Sequence, residues 1–135
     1  MTFLHSPLFL RGLLWTDGAS AAGTALLQLL AAAWLATLLG LPTSLLLASA
    51  VLLWVFVAFA VWLATRTAPP RGGVQALALA NGAWVAGCVG LLLAGAAGTP
   101  WGQAYLVVQA VAVGVLAELQ WMAVRRAATN LSLRT

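Results

Sequence analysis

Residues 44–65 read SLLLASAVLLWVFVAFAVWLAT, twenty-two positions without a charge, a proline or a glycine. A helix at the surface of a soluble protein shows one apolar stripe and one polar face, whereas this stretch is apolar all round. Its length matches the roughly 20 residues that carry a helix through the hydrocarbon core of a bilayer. An open strand of this composition would leave its peptide groups unpaired in lipid, so the segment is read as a transmembrane helix.

Three further segments of the same kind follow from hydropathy, at 13–39, 74–97 and 104–124. The breaks between the four carry turn chemistry: Gly40-Leu41-Pro42, Ala68-Pro69-Pro70-Arg71-Gly72-Gly73 and Gly98-Thr99-Pro100. The expectation is therefore an all-α integral membrane fold, a four-transmembrane-helix bundle forming one domain over residues 1–135. Of the 135 residues 64% are hydrophobic and 6% charged, against roughly a quarter charged in a soluble domain, so no soluble domain is expected beside the spans. The N-terminus lacks a basic region ahead of its apolar residues and is expected to be retained, with Phe3, Leu4, Leu8 and Phe9 at the interface.

The net charge of +4 arises from six arginines, Asp17 and Glu118. The arginines do not form a patch interleaved with aromatics, which argues against nucleic acid as a partner. They flank the hydrophobic runs: Arg11 before the first, Arg66 and Arg71 around the middle loop, and Arg125, Arg126 and Arg134 after the last. The positive-inside rule then places both termini and the middle loop in the cytoplasm, where these side chains meet anionic headgroups. Trp15, Trp62 and Trp121 fall at the inner boundary, Trp34 and Trp101 near the outer one, and Trp54 and Trp84 lie deep. Arginine without lysine, with abundant Ala and Gly, points to a GC-rich bacterial genome and hence to the inner (plasma) membrane.

The halves resemble one another. Asp17-Gly18-Ala19-x-x-Ala22-Gly23 matches Asn81-Gly82-Ala83-x-x-Ala86-Gly87 at an offset of 64, and Trp62-x-Ala64-x-Arg66 matches Trp121-x-Ala123-x-Arg125. Two helical hairpins related as parallel repeats, by an axis along the membrane normal, are the expected architecture. Small residues recur every four positions at Gly82, Ala86 and Gly90, with Gly87 alongside, and at Gly18, Ala22 and Gly23. Such ridges let helix backbones approach closely in lipid, and the two are expected to meet, first helix against third.

Polar residues inside the spans carry whatever chemistry the chain has. Asp17, Thr24 and Gln28 share one face of the first helix and form a stripe from the inner boundary toward mid-membrane. A stripe facing lipid is costly, so it should face protein or a water-filled cavity. One reading pairs Asp17 with Asn81 across the pseudo-twofold axis to hold the register of two helices. Another has Asp17 exchange a proton or cation coupled to a solute. Glu118 lies at a comparable depth and is expected to complete a three-member cluster with them. Gln109 and Gln120 occupy the face of the last helix opposite Glu118, so Gln120 is expected to reach the headgroups or a second protein surface.

Enzymatic templates fail on inventory. His5 is the only histidine and lies outside every span, Cys88 is the only cysteine, and there is no thiol pair, no Ser/His/Asp set within reach in one leaflet, no metal-ligand spacing and no phosphate loop. No catalytic residue, metal or cofactor is therefore assigned. In size and helix count the chain resembles the small multidrug resistance transporters, four-helix dimers with a functional carboxylate in the first helix, for which Asp17 is the nearest counterpart. Those proteins favour Glu in a setting absent around Asp17, and nothing further follows from the resemblance. The leading functional expectation is a non-enzymatic membrane protein that serves as an accessory or self-associating subunit, in a homo-oligomer or a larger complex. The alternatives are a small-solute or proton-coupled transporter or channel built on the acidic stripe, and a lipophilic-ligand or pigment-binding protein using Trp54 and Trp84.

Overall fold

The computed structural model describes residues 6–133 and, within them, every side chain except that of Leu131. Phe3, Leu4, His5 and Arg134 lie outside the described residues. The described chain is all-helical, without strands: α1 (Pro7–Leu30), α2 (Ala32–Leu39), α3 (Thr43–Ala64), α4 (Arg71–Leu93) and α5 (Pro100–Ser132). Three of these, α3 to α5, are each long and apolar enough to cross a membrane, and α1 with α2 makes a fourth if the bent pair counts as one span.

Local chemistry explains most of the boundaries. Helix α1 begins where Ser6 accepts a hydrogen bond from the Phe9 amide at 3.1 Å, with Pro7 in the first turn. That pairing is a favourable start because the cap satisfies an orphan N–H and proline lacks one. It places the start six residues ahead of the hydropathy boundary at 13. Helix α4 ends at Leu93 and not at 97, because Gly95 adopts φ 65° and the Ala96 and Gly95 amides close back on the Leu91 and Leu92 carbonyls. Those paired bonds form a Schellman stop, which glycine enables by entering the left-handed region freely. Helix α5 starts at Pro100 and not at 104, since the Thr99 hydroxyl accepts from the Gly102 amide at 3.1 Å. It also continues past 124 through Arg125 and Arg126.

The first hydrophobic segment is not one helix. Between α1 and α2 the chain turns by 96°. Only Ala31 leaves helical geometry, at φ −124° and ψ 26°, while its N–H still bonds the Leu27 carbonyl and its own carbonyl accepts from Leu35. Neither proline nor glycine marks the site, so the bend is imposed by tertiary packing and not by local propensity. Helix α2 crosses the ends of α3 and α5, burying Leu35 and Leu39 in a cluster with Leu41, Leu46, Ala97 and Leu106. The Gly98 amide donates to the Gly40 carbonyl at 3.1 Å and the Thr99 hydroxyl to the Leu38 carbonyl at 2.7 Å, so the two Gly-x-Pro turns dock on each other.

Helix α1 runs along α3 and α4 runs along α5, while the α1–α5 and α3–α4 seams are looser and α1 and α4 have no close backbone approach. Leu14, Ala60, Leu63, Ala64 and Leu77 fill the end nearest the arginines. Ala21, Ala25 and Leu53 fill the middle.

The small-residue ridges therefore do not meet. Gly82, Ala86, Gly87 and Gly90 are exposed on α4, and no atom lies within 4 Å of a Cβ built at Gly23, Gly82, Gly87 or Gly90. Gly18 alone among the ridge glycines packs inward, where a Cβ built on it would lie 3.6 Å from Ala60, while Ala22 is half-buried. Burial of Asn81 decides this: at about 100° per residue, Ala83 and Gly87 point away from whatever Asn81 faces. Asp17 does the same to Ala19 and Gly23.

Candidate functional site

Three helices bring their polar side chains to one point. Asp17 on α1, Asn81 on α4 and Gln120 on α5 are 2%, 4% and 0% exposed. Asp17 Oδ2 accepts from Asn81 Nδ2 at 2.8 Å and from Gln120 Nε2 at 2.5 Å, and Asn81 Nδ2 also donates to Gln120 Oε1 at 3.1 Å. The three side chains form a closed ring of hydrogen bonds. It lies next to the packed Leu14, Ala60 and Leu77 layer, with Ala60 beside Gly18. Asp17 Oδ1 accepts no bond from a described residue. Every sealed side-chain polar atom among the described residues has a partner, so Oδ1 retains a small accessible patch.

A second set lies toward the opposite end. Gln28 is 3% exposed; its Nε2 donates to the Tyr105 hydroxyl at 3.0 Å, and its Oε1 accepts from the Ser49 hydroxyl at 3.0 Å. Since Gln28 stands one turn before the bend, these bonds anchor the end of α1 to α3 and α5 together. Between the two sets, the Trp84 indole N–H donates to Gln109 Oε1 at 3.2 Å. Polar contacts thus recur at three levels inside the helices. Buried polar groups without partners cost about 1–3 kcal/mol each, and every sealed side-chain polar atom among the described residues has one.

No protein-family model, curated protein or solved structure matches this chain.

Of the five residues expected to form the intramembrane polar site, the structure brings Asp17 and Asn81 together and places Gln28 at the second level. Thr24 shares their face, but its hydroxyl closes on the Ser20 carbonyl of its own helix at 3.0 Å. Glu118 departs from the expectation. It is exposed on α5 and makes no hydrogen bond or ion pair with a described residue. Gln120 takes the position expected of it, because residues two apart on a helix point about 200° from one another, so burying one exposes the other. The cue in the sequence was the shared face of Gln109 and Gln120, which is the inward face of α5. Ser49 and Tyr105 stood out in no pattern.

Asp17 on α1 meets the Gln120 face of α5 while Glu118 projects from another face of that helix, so the two carboxylates form no pair. Cys88 is buried among the apolar residues near α2. Trp84 packs inside whereas Trp54 is exposed on α3, so the two do not face one pocket. No group of three or more His, Cys, Asp or Glu suited to a metal occurs among the described residues.

The arginines gather at one end. Arg11 Nε donates to the Ala64 carbonyl at 3.1 Å, Arg71 donates to the Ala127 carbonyl at 2.9 Å, and the Arg66 guanidinium lies 4.6 Å from the centre of the Trp62 ring. Arg11 and Arg71 thereby tie each hairpin shut at its base, and Arg11 supplies a cation to the C-terminal carbonyl of α3.

Proposed function

We propose that this chain is a four-span inner-membrane protein, with α1 and α2 together as a broken first span, acting without catalysis as an accessory or self-associating subunit. The observation that carries this reading is a division of labour among faces. The buried amides of Asn81, Gln120 and Gln28 bond polar partners inside, while α4 turns a face of Ala76, Ala80, Ala83, Gly87 and Gly90 outward with nothing packed on it. In lipid such a face favours close approach of another helix. Glu118, a lone carboxylate on the outside of α5, adds an independent demand for a polar partner. The arginine-rich end supports cytoplasmic termini and middle loop, and the docked Gly-x-Pro turns and the Asp17–Asn81 contact support two related hairpins.

The test is mass measurement in mild detergent for wild type and Gly87→Leu. Nothing lies within 4 Å of the Gly87 Cβ position, so the variant is expected to fold as a single chain, which its thermal melting checks. The wild type is expected as an oligomer or with a co-purifying protein, and Gly87→Leu as a lone monomer. A wild type that is already a strict monomer without companions sinks the proposal.

A second reading, proton- or cation-coupled transport through the helices, is favoured by the unpartnered Asp17 Oδ1. An ion reaching that oxygen would enter a ring already joining three helices, and its release would loosen them together. Reconstituted flux that requires Asp17 decides for it.

A further inference from the structure

The outward face of α5 is apolar but for one residue. Val107, Val111, Val115 and Met122 are exposed along it, and Glu118 stands among them. At about 100° per residue Val107, Val111, Glu118 and Met122 fall within about 60° of one another, so the carboxylate sits in the middle of the stripe. Glu118 makes no hydrogen bond or ion pair with a described residue, whereas Gln120 on the opposite face is committed to Asp17 and Asn81. Its Cα is level with that ring to about 3 Å, well inside the span. The chain itself brings no cation there. Arg125 lies two helical turns on, about 10 Å along the axis, and Arg11, Arg66 and Arg71 stand at the same end of the molecule, around the close of α3 and the start of α4. A second copy in the same orientation carries its arginines at that end too. It would set Glu118 against valines or against another Glu118.

We propose that this stripe docks a transmembrane helix of another protein that carries a lysine or arginine at the depth of Glu118. This rests on the subunit reading above and names the partner's chemistry. Charge complementarity selects the occupant: a carboxylate facing hydrocarbon is costly, a cation facing hydrocarbon is costly too, and pairing them relieves both. The valines suit a docking face, because β-branched side chains have little rotamer freedom to lose when a second helix packs on them.

The test uses the purified full chain in mild detergent and a synthetic leucine–alanine helix of about 24 residues, long enough to span, with one lysine in its inner third. Control helices carry leucine at that position or the same lysine moved to the end. Wild type is expected to retain the internal-lysine helix about tenfold better than either control, the size of preference that one polar contact between membrane helices gives. Glu118→Gln should lose this preference, and Glu118→Lys should transfer it to a helix bearing aspartate in place of the lysine. Glu118 is exposed, so both variants leave the Asp17 ring in place. Equal retention of the three helices by wild type, the result if the carboxylate reaches the headgroups instead, overturns the proposal. The subunit reading then still stands or falls on the masses of wild type and Gly87→Leu. A preference for the lysine helix that survives in Glu118→Gln also overturns it, as does a wild-type homo-oligomer that Glu118→Gln dissociates, which would put a second copy on the stripe.

Discussion

Asn81 Nδ2 donates to Asp17 Oδ2 at 2.8 Å across the middle of the molecule, between two helices whose backbones do not approach one another. Gln120 closes the ring from α5. A contact made only by side chains couples the two hairpins at one level, and its loss is felt by three helices at once.

Replacing Asp17 by Asn keeps the shape and still offers a carbonyl oxygen to both amides, while removing a buried charge that has no cationic partner. Thermal stability of Asp17→Asn in detergent is expected to equal or exceed wild type. Asp17→Ala strands the donors of Asn81 and Gln120 and should cost about 1–3 kcal/mol. If the asparagine variant melts far below wild type, the charge itself is structural; if it melts normally but abolishes reconstituted flux, Asp17 is a coupling site.

Gln120 and Glu118 separate structure from exposure on one helix. Gln120→Ala removes a fully buried side chain that donates to Asp17 and accepts from Asn81, so a loss of about 1–3 kcal/mol is expected. Glu118→Gln, on the outer face, should leave the melting of the single chain within about 0.5 kcal/mol of wild type. Reversed effects would mean that Glu118 and not Gln120 faces the interior.

Gly102 packs directly on the Leu39 carbonyl, and a Cβ added there collides with that backbone oxygen. Gly102→Ala should therefore lever α2 away from α5 at a cost of about 1–3 kcal/mol. Hydrogen exchange at Leu35–Gly40 reads this directly, with faster exchange expected there and unchanged protection in α4. Unchanged exchange around Leu39 would show that α2 is not held by this contact.

The proposed orientation predicts opposite labelling of two loops. In a Cys88→Ala background, Thr67→Cys should react with an impermeant maleimide only after the cytoplasmic face is opened, and Thr43→Cys in intact spheroplasts. The reverse pattern would invert the topology.

Hydropathy by itself determined that residues 44–65 and the segments around 74–97 and 104–124 form long apolar helices, because lipid-facing helices need only length and the absence of charge. The inward direction of Asp17 and Asn81 was equally legible, since a polar group facing lipid is costly and their matching positions in the two halves suggested a common face. Three features were decided by the tertiary structure alone. The bend at Ala31 follows from burying Leu35 and Leu39 over α3 and α5, in a stretch of alanines that would otherwise stay straight. The choice of Gln120 over Glu118 depends on the rotation of α5 about its axis, which α4 sets through packing and which no periodicity within α5 decides when polar residues lie on both faces. The outward turn of the Gly82, Ala86 and Gly90 ridge follows from the same kind of competition. A buried hydrogen bond from Asn81 and a close-packed glycine seam cannot occupy one side of a helix, and the unpaired amide is the costlier group to leave outside.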